Sequence, residues 1–289
     1  MKAKLIILTP VFNDWKNLDK LVARINKLFV NKIKQKFDLI IVDDHSTEKI
    51  NFSKSKFRKI DNVRILKNSI NLGSQRSIAI GLKYIKKKYK KNYNLIVIDS
   101  DGQDNPLGIK KLIDKFNKTN CCVVARRGQR KESNLFKFFY EIYFFLILLL
   151  SFKKIRFGNF SLLRFEDVNK ILRDKNIWNA FPPTLSLNLN KMSFITINRE
   201  NRYSGLSKMN FFGLFYHALR VFSVLRIRIF FSSIAYISFL FLVLQKKFLI
   251  IFLILTIFFV SINILNFSLF IFNKKNFEKR FKEARIIKI

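Results

Sequence analysis

Three carboxylates and an amide crowd into six positions where an apolar run ends: Asp99, Asp101, Gln103 and Asp104 in VIDSDGQDNP, residues 97–106. In a turn at a strand end, carboxylates two apart can converge on one hard cation through oxygen ligands, and the Gln103 carbonyl can add another. Such a cation keeps positions for water and for the phosphates of a nucleotide. It would neutralise charge on a diphosphate leaving group. A D-x-D triplet alone is also an ordinary turn sequence, so its neighbours decide the reading.

A second acidic pair, Asp43-Asp44, is followed by His45-Ser46. One of its carboxylates could accept from a base N–H or a ribose hydroxyl; the alternative is a capped turn. TPVFND, residues 9–14, offers Asn13 or Asp14 as a helix cap. Asn71-Leu72-Gly73 could let backbone approach a ligand, or could simply turn the chain. Arg126, Arg127 and Arg130 follow the apolar run CCVVA. Arg202, Ser207 and Lys208 lie in NRYSGLSK, ahead of an amphipathic stretch. Arg offers a planar fork for phosphate oxygens and Lys a point charge; attraction to anionic headgroups is the competing reading. His45 and His217 are far apart, which argues against a His-based metal cluster or a Cys–His nucleophile. Cys121 and Cys122 are adjacent and poorly placed for an ordinary disulfide; they read as buried thiols in a reducing compartment.

These groups need a frame. The 289 residues suffice for one or two domains with a sizeable core. Apolar runs at Leu5–Thr9, Leu39–Val42, Val63–Leu66, Leu95–Ile98 and Cys121–Ala125 alternate with amphipathic stretches such as Trp15–Phe29 and Ser74–Lys91. Continuous apolar strands separated by helices predict a parallel sheet covered on both faces. Ligands of such sheets bind beyond the carboxyl ends of the strands. TPVFND, DDHS and DSDGQD all fall there.

The second half differs. Leu135–Phe152 has 18 residues and is strongly apolar, yet holds Lys137 and Glu141. It reads as a helix lying in a membrane interface, and residues 209–228 as a second one. Ile229–Gln245 and Phe248–Phe272, of 17 and 25 residues, contain no charge and read as a transmembrane hairpin. The expected organisation is a catalytic domain over 1–228, a hairpin over 229–272 and a basic cytoplasmic tail over 273–289. Residues 191–228 carry seven Lys/Arg and the tail carries seven more. By the positive-inside rule, both flanks and the N-terminal domain face the cytoplasm. The net charge of +36 calls for an anionic partner, here an acidic membrane or a phosphorylated substrate. Aromatic and basic residues are not interleaved in a nucleic-acid pattern, so nucleic acid is excluded as the partner. Self-association into a homo-oligomer is left open.

The order TPVFND, DDHS, NLGSQR, DSDGQD and NRYSGLSK resembles glycosyltransferase family 2. More narrowly, it resembles the dolichol-phosphate mannose synthase-like polyprenyl-phosphate glycosyltransferases, over about residues 4–228. The resemblance implies an α/β, Rossmann-like GT-A fold, a UDP- or GDP-linked sugar donor, Mg2+ or Mn2+, and a polyprenyl (undecaprenyl) phosphate acceptor. By position, Pro10, Phe12, Asp14, Asp43 and Asp99 would contact the nucleotide. Asp99, Asp101 and Gln103 would hold the metal. Arg126, Arg127, Arg130, Arg202, Ser207 and Lys208 would grip phosphates, and Asp101, Arg202 and Lys208 would carry catalysis. Ser100 and Gly102 stand where the family has small and apolar residues. Phe12 stands for Tyr, Asn13 for Glu and Asn159 for Asp. No His or isolated Glu offers itself as general base, and Asp104 reads better as a turn residue. A phosphate monoester, whose second pKa is near 6, could attack the sugar directly and invert it. A processive synthase would usually show Q-x-x-R-W and more spans; a non-catalytic partner in glycan assembly should have lost its motif carboxylates.

Overall fold

The computed structural model describes residues 3–50, 52–128, 134–205, 211–244, 248–274 and 276–288. The first half alternates strand and helix as its apolar pattern requires: β1 (Lys4–Val11), α1 (Trp15–Leu28), β2 (Phe37–Asp43), β3 (Ile60–Lys67), α2 (Ser74–Tyr89), β4 (Tyr93–Val97), α3 (Gly108–Thr119) and β5 (Cys122–Arg127). Then come α4 (Asn134–Ser151), β6 (Phe157–Arg164), α5 (Phe165–Arg173), α6 (Phe181–Asn188), β7 (Met192–Ile197), α7 (Phe211–Leu244), α8 (Leu249–Lys274), α9 (Asn276–Glu283) and β8 (Arg285–Lys288). They divide into two compact units: the strands with α1–α3, α5, α6 and α9, and a helical unit of α4, α7 and α8.

In the first unit the described strands make one eight-stranded sheet, ordered β7-β5-β6-β4-β1-β2-β3-β8. Pairing is parallel from β4 through β1 and β2 to β3, and between β5 and β7; β6 and β8 run antiparallel to their neighbours. Alternate residues of each inner strand feed two cores. Leu5, Ile7, Leu39 and Ile41 pack with Leu18, Leu21 and Ile25 of α1. Ile6, Leu8, Ile40 and Val42 pack with Ile78 and Leu82 of α2. Burial on both faces explains why these strands read as unbroken apolar runs. Gly81 sits inside α2, where glycine costs helix stability. A Cβ there would lie 2.3 Å from Leu8 Cδ1 and 3.1 Å from Val42 Cγ2, so the close seating of α2 on β1 and β2 requires its absence.

The chain's end departs from the sequence reading. Residues 273–289 are not a plain basic tail: α9 and β8 belong to the sheet unit. The Phe277 ring stacks on Trp178, 5.0 Å between centroids, and Lys83 lies 4.7 Å from the Phe281 ring. Strand β8 pairs with β3 through Arg64↔Lys288 to Lys67↔Arg285. Its four residues are too few to show an alternating pattern, and its partner lies more than two hundred residues earlier.

In the helical unit, α7 and α8 form an antiparallel pair. Ser233 Oγ accepts from Asn263 Nδ2 at 2.9 Å, Tyr236 stacks on Phe259, and Arg226 lies 3.3 Å from the Phe270 ring centroid. Helix α4 lies along α7: Ser232 Oγ donates to Leu150 O at 2.5 Å and Tyr236 OH to Leu149 O at 2.7 Å. The sequence reading broke the chain at residue 228, but α7 is one helix through that point. Ile227 and Arg228 have helix-compatible neighbours on both sides, and the change from charged to apolar composition interrupts no backbone hydrogen bond. Helices α7 and α8 are both long and apolar enough to cross a membrane.

Candidate active site

The site grows from the carboxyl ends of β1, β2 and β4. Beyond β1, Asn13 adopts φ +46°, a conformation Asn tolerates. Its side-chain oxygen accepts from Thr47 N at 2.8 Å and Glu48 N at 3.2 Å, and its own N–H donates to Ser46 Oγ at 2.8 Å. The loops after β1 and β2 are thereby tied together. The two carboxylates closing β2 divide their tasks. Asp44 accepts from Leu72 N, Gly73 N and Asn68 Nδ2 at 2.7–2.9 Å, anchoring the entry to α2. Asp43 is fully buried; its Oδ1 accepts from Ser46 N at 2.8 Å. Its Oδ2 takes no hydrogen bond among the described residues, with Lys67 Nζ 3.9 Å away.

Asp14 occupies the position before α1 but does not cap it with its side chain. The carboxylate instead accepts from Asn17 Nδ2 at 2.8 Å and pairs with the Arg202 guanidinium. Pro10 is buried in β1, and Phe12 is half-buried beside it.

The motif that follows β4 is held from both sides. Ile98 N–H donates to Leu8 O at 3.1 Å, extending the β1 pairing to the brink of the turn. Asp99 Oδ1 accepts from Asn159 Nδ2 at 2.9 Å. Asn159 Oδ1 accepts from Gln75 Nε2 at 3.0 Å, and Gln75 Oε1 from Phe181 N at 2.8 Å. Because β6 runs antiparallel, its beginning lies at this edge, which is how Asn159 reaches Asp99. An amide there orients Asp99 without adding a further negative charge. Asp101 Oδ1 accepts from Gln103 N at 3.0 Å, and its Oδ2 lies 3.8 Å from Arg202 Nη1. Arg202 therefore bridges Asp14 and Asp101, carboxylates from two different strand ends, and its side chain is only 17% exposed.

Residues 200–204 lie across this turn. Glu200 N–H donates to Gln103 O at 3.0 Å and Tyr203 N–H to Asp101 O at 3.4 Å. The Tyr203 ring occupies the space over Gly102, where a Cβ would come within 2.2 Å of it. Gly102 has φ +79°, so glycine answers both the turn and the ring. Arg24 of α1 holds Glu200 by two bonds, 2.5 and 3.0 Å, and donates to Tyr203 OH at 2.8 Å. The hydrogen bond to Glu200 raises the Arg24 pKa further; burial pushes the Tyr203 phenol upward against the lowering influence of Arg24.

Not every expected group meets here. Arg126 lies over the Phe194 ring, 3.7 Å from its centroid, and lines a small pocket with Asp104, Gly158, Phe160, Asn198 and Arg199. That pocket encloses about 10 Å³, room for a water-sized group. Arg130, Ser207 and Lys208 lie outside the described residues, as does the Arg127 side chain. Sequence reasoning missed Asn17 and Arg24, which read as ordinary polar positions of an amphipathic helix, and Gln75 and Tyr203, which lay unremarked inside quoted motifs.

Among the described residues no three His, Cys, Asp or Glu side chains gather as a metal cluster. Asp99, Asp101 and Gln103 nevertheless carry oxygen donors of the kind a hard divalent cation takes.

The family described as "Glycosyl transferase family 2" matches residues 6–180, more than half of the chain. An uncharacterised glycosyltransferase of Synechocystis sp. is 26% identical over 257 residues, 84% of this chain and 79% of that protein. An uncharacterised protein of Methanocaldococcus jannaschii is 35% identical over 134 residues, 45% of this chain and 54% of its own length. Among solved structures, the glucosyl-3-phosphoglycerate synthase of Mycobacterium tuberculosis in complex with UDP gives a TM-score of 0.54 at 13% identity. The match covers 78% of this chain and 80% of that one. Such a likeness concerns the fold alone.

Proposed function

The chain belongs to glycosyl transferase family 2, and on that premise we propose that it moves one sugar from a nucleoside-diphosphate sugar to a polyprenyl phosphate at a membrane surface, with inversion at the sugar. It is a transferase with a GT-A sheet. The observation that carries the finer reading is Arg202 between Asp14 and Asp101, a cation set among carboxylates at the carboxyl edge of the parallel strands. That is the edge where nucleotides bind in such sheets. The buried Asp43 Oδ2 supports an acceptor for a donor group on base or ribose. A nucleoside diphosphate is also what two solved neighbours of this fold hold, one with UDP and one with Mn2+ and UDP-glucose.

The chemistry needs one bond made and one broken. The acceptor phosphate oxygen, mostly ionised at neutral pH, attacks the sugar C1. The bond from C1 to the nucleotide diphosphate breaks, and the electron pair leaves with that diphosphate. No base has to remove a proton. Arg202, held by Asp14 and Ser204 O through Nη2 and Nε, turns Nη1 toward the departing oxygens. A divalent cation held by Asp99, Asp101 and Gln103 would supply further neutralisation of the leaving group. Asn159 and Gly102 keep the two carboxylates where they serve, so positioning contributes to the rate.

Chain connectivity supports the membrane assignment. Strand β7 precedes the α7–α8 pair and β8 follows it, and both belong to one sheet. Two crossings bring the chain back to the side it left. Helix α4 leaves from β5 and returns to β6, neighbours in that sheet. A single helix between them favours an in-plane position. Its Phe138, Phe139 and Phe145 are exposed, as is Phe152 just past its end, as an interfacial helix requires. By the positive-inside rule, the basic flanks support a sheet on the cytoplasmic face of an inner membrane.

The test is a panel of radiolabelled nucleotide sugars, UDP-linked donors first, given to membranes holding the protein and undecaprenyl phosphate. The expected product is a labelled, organic-extractable lipid that falls at least about 100-fold in Asp101→Ala. Lipid product undiminished in that variant, or label delivered only to a water-soluble acceptor, would overturn the reading.

A further inference from the structure

Helix α1 is more than a core helix. Asn17 and Arg24, seven positions apart and so two turns apart on one face, both reach the 200–204 segment. Asn17 Nδ2 donates to Ser204 O at 3.0 Å and Asn17 Oδ1 accepts from Ser204 Oγ at 2.6 Å. Arg24 grips Glu200 with both guanidinium arms and Tyr203 with one, and its guanidinium carbon lies 5.5 Å from the Tyr203 ring centroid. Arg202 lies between these anchors. Its own Nε donates to Ser204 O at 3.1 Å, so its aim depends on the backbone that Asn17 and Arg24 hold.

From this geometry we propose that Arg24 is a positioning residue for the transfer reaction: it clamps residues 200–203 onto the carboxylate turn and so sets the Arg202 guanidinium between Asp14 and Asp101. Arg24 touches neither carboxylate of the D-x-D motif in any contact described above; it acts through Glu200 and Tyr203. The physical reason for an arginine is the fork. A planar group with parallel N–H bonds fixes the Glu200 carboxylate in direction as well as distance, which a lysine cannot do. Gly102 completes the clamp from below, since the ring that Arg24 holds fills the space a side chain would take. Without Arg24, the segment retains two backbone hydrogen bonds, the Asn17 contacts and the Arg202 ion pairs themselves, but loses the fork that fixes Glu200 and Tyr203 and so the direction of the backbone that carries Arg202.

The role assigned to Arg202 rests on the proposed function; the clamp does not, and the test separates them. Purified full-length protein in detergent is digested with trypsin under conditions where wild type is cut slowly after Arg202. Cleavage after Arg202 is expected to rise about 10- to 100-fold in Arg24→Met, the scale of a lost charged hydrogen bond. Glu200→Gln, at a partly exposed position outside both cores, is expected to move it in the same direction, and Arg24→Lys to lie between Met and wild type. In the transfer assay, kcat/KM for the sugar donor falls with Arg24→Met, while Arg24→Met combined with Arg202→Met is no worse than Arg202→Met alone. Unchanged cleavage in both Arg24→Met and Glu200→Gln overturns the clamp. So does a double variant that loses the product of the two single effects. If wild type transfers no sugar but cleavage responds as expected, the clamp stands and the functional reading falls.

Discussion

Replacing Gly102 by alanine tests whether the 200–203 segment is truly seated on the carboxylate turn. The residue has φ +79°, and its new Cβ would lie 2.2 Å from Tyr203 Cε2 and 2.4 Å from Cδ2 and Cζ. An L side chain in the left-handed region costs about 1–2 kcal/mol. The ring must also move by more than an ångström to restore ordinary contact, at an overpacking cost of about 1–3 kcal/mol. Tyr203 is tied to the turn by one backbone bond and to α1 by one side-chain bond, whereas the turn continues the β1–β4 pairing. The segment should therefore yield before the sheet does. Detachment relieves the ring clash and not the backbone strain, so the overpacking part alone, about 1–3 kcal/mol, would raise its detached population about 5- to 140-fold. Hydrogen exchange reads this directly, because Glu200 N–H bonds Gln103 O and Tyr203 N–H bonds Asp101 O. A peptide covering 198–205 should exchange at least about 5-fold faster in Gly102→Ala, while peptides from β1, β2 and β4 keep their protection. In a Tyr203→Ala background the same substitution should cost only the backbone part, about 1–2 kcal/mol. Exchange indistinguishable from wild type, or an equal cost of Gly102→Ala with and without the Tyr203 ring, would refute the packing argument.

Three further outcomes follow from the structure. Asp101→Asn keeps the shape of the turn but removes the charge facing Arg202 and the expected cation; kcat/KM should fall about 100- to 1,000-fold, and full activity would remove Asp101 from the machinery. Gly81→Ala would place a methyl 2.3 Å from Leu8 Cδ1 in a full core, so overpacking should outweigh the gain in helix propensity. Denaturant melts should show a net loss of up to about 2 kcal/mol, and a gain would mean that the core has room. Hydrogen bonds from Arg280 and Ser69 hold the Glu283 carboxyl below its ordinary value of 4.5. A depressed value in the folded state stabilises above the ordinary pKa and is lost as pH falls through the lower, folded one. Protection of the β8 amides, measured against their intrinsic exchange at each pH, should therefore fall only as pH drops below the ordinary value, and Glu283→Gln should erase the step.

Much of the sheet could be read directly. Leu39–Val42 and Leu95–Ile98 are apolar at every position because both faces of an inner parallel strand are covered, and that burial leaves its mark residue by residue. The carboxylates of DSDGQD could be placed at a strand end for the same reason. Strand β6 was not legible: GNFSLL has no feature that separates an antiparallel insertion from one more parallel strand, and only its pairing with β4 and β5 brings Asn159 to Asp99.

Residue type and spacing determined which groups could do chemistry and which strands would carry them, since period and apolar burial are properties of neighbouring residues. Tertiary structure decided which polar groups meet. The bridge from Arg202 to Asp14 and Asp101, the grip of Arg24 on Glu200 and Tyr203, and the return of residues 285–288 to β3 join positions far apart in the chain. Hydrogen bonds and ion pairs of this kind are set by where the fold brings their partners, and no local pattern encodes a partner more than a hundred residues away.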